Sequence, residues 1–399
     1  MAKPKLRFPE FADEWKEYRI SEVFDRVVNP VTVEKNKCYK QIGIRSHGKG
    51  LFYKEEVTGE ELGNKRVFWV EPDCFVVNIV FAWERAVAKL TEAERGMIAS
   101  HRFPMYKPKD QVLDLDYITE YFTTFYGQKI LILASPGGAG RNKTLGQEEF
   151  AKSKIRLPSY VEQKKIAKFL FTVDDLIQVL EEEISALEEQ KKAIMQKLFN
   201  HEVRFKADDG SEYPEWEEKE LEQIANIFDG THQTPEYVNE GIPFVSVEDI
   251  NNLYRTNKYI TEEAFNKEFK IYPQQGDILM TRIGSIGVAA IITKDIKMAY
   301  YVSLALLKLK EKVNTTYLLQ YILCEKFQQE LWKRTLHIAF PKKINKNEIG
   351  KCKVNIPCLE EQQKIADCLS AYDDAIQIKK DKLGVWKEIK KGLLQQMFV

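Results

Sequence analysis

The chain has 399 residues, 44% hydrophobic and 30% charged, a balance ordinary for folded proteins and unlike that of a disordered segment. Sixty basic and sixty acidic side chains cancel to zero net charge, so the totals alone do not point to a nucleic-acid partner. The opening MAKPKLRFPEFADEW holds no apolar run of the signal-peptide kind, and stretches such as Phe75 to Trp83 are too short to span a bilayer, so a cytoplasmic location is expected.

The first elements in chain order are a lead-in segment around Glu14-Trp15-Lys16-Glu17, with Ile20 and Val23 behind it, where Trp15 is expected to anchor on a core. VFWV, CFVVNIVFAW and AVAKL read as short strands between polar turns, and Asp116 to Leu133 reads as a helix. From Pro158 the period changes. Ile166, Leu170, Val173, Ile177, Leu180, Ile184 and Leu187, continued by Lys191, Ile194 and Leu198, alternate steps of four and three, which is the heptad seam of a coiled coil.

The second half runs through the same series. Glu215-Trp216-Glu217-Glu218, then Leu221 and Ile224, repeat the lead-in, and Arg204-Phe205 matches Arg7-Phe8. FVSV, GDILMTRIGSIGVAAII and YYVSLALLKLK read as strands, Thr315 to Leu336 as a helix, and Ile365, Leu369, Tyr372, Ile376, Lys379, Leu383, Trp386, Lys390, Leu393 and Met397 as a second seam. Residues 158–199 and 357–398 align without a gap, with 16 of 42 positions identical, too many for chance. A period near 200 is too long for a solenoid, so each copy is a domain with an attached helix.

The predicted fold is therefore α+β: two tandem globular domains, 1–157 and 203–356, and two long helices, 158–202 and 357–399, related by an internal pseudo-twofold repeat. The cheapest mate for each seam is the other, and a chain that goes out along one helix and returns along the next makes the pair antiparallel. About 40 residues give a rod of roughly 60 Å, expected to carry the domains at its opposite ends. Lys191, Lys379 and Lys390 interrupt the seams and are expected to fix register or to mark where a third partner packs. The alternative is that each helix packs only on its own domain.

Here the sequence resembles a known family. Pro158, Glu162, Gln163, Ile166, Ala167, Leu170, Asp174 and Asp175, repeated as Pro357, Glu361, Gln362, Ile365, Ala366, Leu369, Asp373 and Asp374, look like the conserved helical regions of type I restriction-modification specificity (S) subunits. The DGTHQTP, GDILMTRIGSIG and GGAGRNKTL stretches resemble that family's target recognition domains. The resemblance implies a non-catalytic DNA-recognition subunit that binds a bipartite, asymmetric double-stranded target, one half per domain. It also implies that the helices set the spacer and dock two methyltransferase (M) subunits. S-adenosylmethionine would then belong to M, and ATP and Mg to restriction (R) subunits, with no cofactor in this chain.

The residues themselves offer little catalysis. No Asn/Asp-Pro-Pro-aromatic motif for a flipped adenine occurs, and the nearest approach to a phosphate loop, Gly137 to Thr144, has Asn142 where the glycine before lysine is required. Six cysteines without a CxxC pair and five scattered histidines suggest reduced structural thiols and no metal site.

DNA contact is expected from glycine-containing loops rich in long donors. In the first half these are Arg45, Ser46, His47 and Lys49; Arg85 beside Trp83, with Arg102; and Arg141, Asn142 and Lys143. In the second they are Thr231, His232, Gln233 and Thr234; Ser246; Arg282 and Ser285; and Lys342 and Lys343. The loops differ between halves while the helices agree, which predicts two unlike half-sites. Two alternatives are a coiled-coil adaptor holding two modules that do not bind DNA, which the neutral charge favours, and an inactive or phase-variable S-like subunit.

Overall fold

The computed structural model describes residues 4–137, 143–310 and 313–399. The chain forms two compact units, Met1–Glu181 with Asp381–Val399, and Glu182–Lys380. Each unit thus takes the start of one long helix and the end of the other.

Both units are built on the same four-stranded antiparallel sheet. In the first its order is Phe24–Val27, Met105–Pro108, Cys74–Val77, Val87–Leu90; in the second, Ala225–Asp229, Leu304–Leu309, Ile278–Thr281, Ala289–Ile291. The register is equivalent, with Met105 between Val27 and Val76 in the first and Leu306 between Phe228 and Leu279 in the second. The inner strands Cys74–Val77 and Ile278–Thr281 are buried at every position, which is why they are apolar throughout except at Thr281. Side chains alternate across a strand, so Phe75 and Val77 enter one core while Cys74 and Val76 enter another. Ile278 and Met280 part from Leu279 in the same way.

The lead-in strand Lys16–Arg19 pairs antiparallel with Lys154–Leu157, immediately before the long helix, and Glu217–Glu220 pairs likewise with Lys353–Ile356. The repeated Glu-Gln pair of each helix locks this arrangement. Glu162, 1% exposed, accepts from Arg7 Nε at 2.7 Å and Nη2 at 2.8 Å; Glu361, 0% exposed, accepts from Arg204 Nη2 and from Trp216 Nε1, both at 2.9 Å. Gln163 and Gln362 accept from the backbone N–H of Asp114 and Asn314 at 2.9 and 2.8 Å, the residues that cap the next domain helix. Trp15 and Trp216 pack against the cores, as expected of anchors.

The single domain helices expected at 116–133 and 315–336 are each two. Leu115–Thr123 and Phe125–Leu133 break at Thr124, and Thr315–Leu323 and Glu325–Arg334 break at Cys324. Both break residues are extended, and the Thr124 hydroxyl accepts from Gly127 N–H to start the next helix. Gly127 is required there, because a Cβ would lie 2.3 Å from the Tyr121 carbonyl oxygen. Hydrophobic periodicity runs on through such a break and so hides it.

The long helices span Tyr160–Phe199 and Leu359–Gln396. In the first unit Asp174 meets Lys390 and Glu181 meets Lys387; in the second Glu183 meets Lys379 and Lys191 meets Asp373. As one number rises the other falls, so the two helices run antiparallel within each unit. The seam is not uniform. Ile166 and Leu170, with Ile365 and Leu369, belong to the domain cores. Val173, Leu180, Ile184 and Ile376 are buried farther along, while Ile177, Leu187, Tyr372, Leu383, Trp386 and Leu393 are half-buried. Each helix ends in the unit that holds the start of the other. Phe398 lies against Tyr117 and Tyr121, and Phe199 against Tyr317 and Tyr321.

Candidate nucleic-acid interface

In the first unit three loops far apart in sequence meet at the end of the central strand Cys74–Val77. Ser46 Oγ donates to Glu84 at 2.7 Å, His47 N–H to the Glu84 carbonyl at 2.7 Å, and Gly48 N–H to the Arg85 carbonyl at 2.9 Å. Leu145 N–H reaches the Ile79 carbonyl at 2.8 Å, and Lys143 Nζ lies 5.8 Å from the centre of the Trp83 ring. Arg102 joins the same cluster through its carbonyl, which accepts from Ile79 N–H at 3.0 Å. Arg141 and Asn142 lie outside the described residues.

His47 and Arg85 sit in the left-handed region, with φ of 65° and 61°. Non-glycine residues are uncommon there and cluster at functional sites. The contacts just described hold both in place, with Arg85 Nη1 donating to the Thr123 carbonyl at 2.9 Å. Arg45, His47, Lys49 and Arg102 are exposed; Ser46, Arg85 and Lys143 are half-buried. Beside them opens a groove of about 500 Å³, with His47, Arg85 and Gln128 on one wall and Lys387, Lys390 and Lys391 of the second long helix on the other.

The second unit assembles its loops at the corresponding strand end. Gly284 N–H donates to the Lys342 carbonyl and Ile344 N–H to the Arg282 carbonyl, both at 2.9 Å. Val302 N–H reaches the Thr231 carbonyl at 2.9 Å, and Val247 N–H the Ser303 hydroxyl at 3.1 Å, which brings the 231–234 and 246 segments to the same edge. His232, Gln233, Thr234, Ser285, Lys342 and Lys343 are exposed, and Thr231 is half-buried with its hydroxyl on Glu268. Two candidates are turned inward. Ser246 is 8% exposed and shares the Asp249 carboxylate with its own backbone N–H; Arg282 is 6% exposed, paired with Asp229 and donating to the Ile344 carbonyl at 3.1 Å.

Sequence reasoning missed a repeated support. Gln128 Nε2 donates to the Trp83 carbonyl at 3.1 Å, and Gln328 Nε2 donates to the Gly287 carbonyl at 2.9 Å, so the same helix position holds the strand-end loop in each unit. Their spacing of 200, the same as that of Tyr117 and Tyr317, could have exposed the pair. Lys387 and Lys391 carried no such signal, because they come from the far end of the chain.

All six cysteines are free, and burial pushes Cys74 and Cys352 up to about 12 and Cys324 up to about 11, away from thiolate chemistry. No group of metal-ligating side chains occurs among the described residues.

A unit present twice in the chain is what comparison with known proteins also finds. The profile described as Type I restriction modification DNA specificity domain matches residues 12–189 and again 213–385. The chain belongs to this family. It is similar to the putative type I restriction enzyme MjaX specificity subunit of Methanocaldococcus jannaschii, 27% identical over 98% of this chain and 94% of the relative. The MjaVIII specificity subunit of the same organism is 27% identical over 84% and 80%. Among solved structures, the S subunit from M. genitalium matches with a TM-score of 0.61 at 16% identity, covering 100% and 99% of the two chains. The HsdS subunit from Thermoanaerobacter tengcongensis matches with 0.52 at 16%, covering 97% of each. At these identities the structural likeness shows that the specificity-subunit fold is shared.

Proposed function

We propose that the chain is the DNA sequence-specificity subunit of a type I restriction-modification enzyme and reads a bipartite, asymmetric duplex target, one half with each domain. The observation that carries this reading is the contrast within the repeat. The Glu-Gln lock, the sheet and the Gln128/Gln328 support recur, whereas the loops they brace differ in length and in most candidate contacts. A scaffold kept twice under two unlike loop sets suits recognition of two unlike sequences. Arg45, His47, Lys49, Arg85, Arg102 and Lys143 are the proposed contacts of the first domain, with Arg141 and Asn142 on the adjoining loop; Thr231 to Thr234, Ser285, Lys342 and Lys343 are those of the second. Ser246 and Arg282 support the second set from beneath.

In this reading the chain performs no chemistry. Two M subunits bound to the long helices supply S-adenosylmethionine and methylate adenine, and R subunits supply ATP- and Mg-dependent cleavage, all in the cytoplasm. Basic groups of M add to phosphate binding, which reconciles a neutral chain with a polyanionic ligand, and affinity falls steeply with salt. No helix among the described residues is long and apolar enough to cross a membrane.

Co-expression with the methyltransferase encoded beside it, followed by genome-wide mapping of N6-methyladenine, tests the reading. A bipartite motif with unlike halves that vanishes when this chain is omitted is expected. A stable complex with no new methylation would overturn it in favour of an inactive or adaptor role.

A further inference from the structure

We propose that Phe340, with Ile338 beside it, is a wedge that enters between adjacent base pairs of the half-site read by the second domain; this rests on the function proposed above. Single exposed hydrophobics are common, but Ile338 is 100% exposed and Phe340 is 103% exposed, two residues apart on one loop. The loop is held at its neck. Leu336 N–H donates to the Lys343 carbonyl at 2.8 Å, Ile283 and Lys343 form a bridge, and Gly284 N–H donates to the Lys342 carbonyl, so the projection rises from the strand-end loop at the centre of the candidate interface.

The flanks of this projection are basic and aromatic. Lys342 Nζ stands 4.7 Å from the centre of the Trp332 ring, the His337 ring lies 4.2 Å from that ring, and Lys343 is exposed beside them. Residues 335–343 include no acid. An apolar tip with a cationic collar suits a duplex, because phosphates line the approach and the stacked bases behind them are the apolar surface. Phe and Ile are side chains that proteins use to part base steps, at a cost of a few kcal/mol recovered through contacts with the bent duplex. An apolar protein surface would match the tip but would leave Lys342 and Lys343 without counter-charges.

The test uses the full-length chain assembled with its methyltransferase and duplexes carrying the mapped motif. 2-Aminopurine is placed in turn at each position of the second half-site other than the methylated adenine. A several-fold rise in fluorescence on binding is expected at one step, with its loss in Phe340→Ala, partial recovery in Phe340→Leu, and unchanged assembly by gel filtration. Binding without unstacking at any position, or unstacking that survives Phe340→Ala with Ile338→Ala, would overturn the wedge while leaving DNA recognition intact. Loss of assembly rather than of unstacking would make the loop a protein-docking site and also overturn it. If the parent complex does not bind the duplex at all, the proposed function fails first.

Discussion

Glu120 and Gln320 occupy the same place in the two repeats, each on a domain helix facing the long-helix pair. Lys390, the partner of Asp174, lies 3.9 Å from Glu120, whereas Gln320 Nε2 donates to Asp373, the partner of Lys191, at 2.8 Å. Burial raises the Glu120 pKa above its ordinary 4.5, against the pull of Lys390. A folded-state pKa above the unfolded value means that the carboxyl's contribution to stability is full below about 4.5 and is lost as pH rises through the raised value. Glu120→Gln is therefore expected to raise the melting temperature of the first unit at neutral pH, with the gain shrinking as pH falls toward 4.5. Thermal unfolding of both proteins across that range checks the sign. At Glu361 the opposite change is expected. Removing a fully buried carboxylate that holds Arg204 and Trp216 leaves two donors without it, so Glu361→Ala should cost on the order of 3 kcal/mol in urea unfolding of the second unit.

Among elements, the long helices show why a heptad pattern is only part of an instruction. Their apolar seam fixes which faces meet but slides easily by one repeat; lysines placed on it do not. Lys191, 13% exposed, and Lys390, 23% exposed, find Asp373 and Asp174 across the pair, at positions that the repeat itself relates. Outer pairs Lys380 with Glu188 and Lys387 with Glu181 are about half exposed and add little. A double-mutant cycle on Lys191→Ala and Asp373→Ala should give a coupling of about 1 kcal/mol, and the exchanged pair Lys191→Asp with Asp373→Lys should recover most of what either single exchange loses. Additive losses would show that the pair has no part in register.

For the whole molecule, the repeated scaffold makes recognition modular. Replacing residues 217–356 with the equivalent segment of a relative is expected to change one half of the methylated motif and leave the other, read from the same methylome; a change in both halves would show that the domains do not read independently. The duplication, the α+β class, the antiparallel seam and the family were all legible in the sequence, because they depend on periodic burial and on residues close along the chain. The helix breaks at Thr124 and Cys324 were not, since a change of one residue's backbone leaves the apolar period intact. Nor was the division of the candidate loops. Arg282 and Ser285 look alike as polar residues beside glycines, yet an aspartate 53 residues upstream draws Arg282 into the interior while Ser285 stays outside. The sequence by itself determined the elements and their repetition, which are local matters of period and propensity. Tertiary structure alone decided which side of a loop faces out, that Lys387 and Lys391 border the first domain's groove, and that Phe340 stands clear of any core, because each depends on contacts between residues that the chain holds far apart.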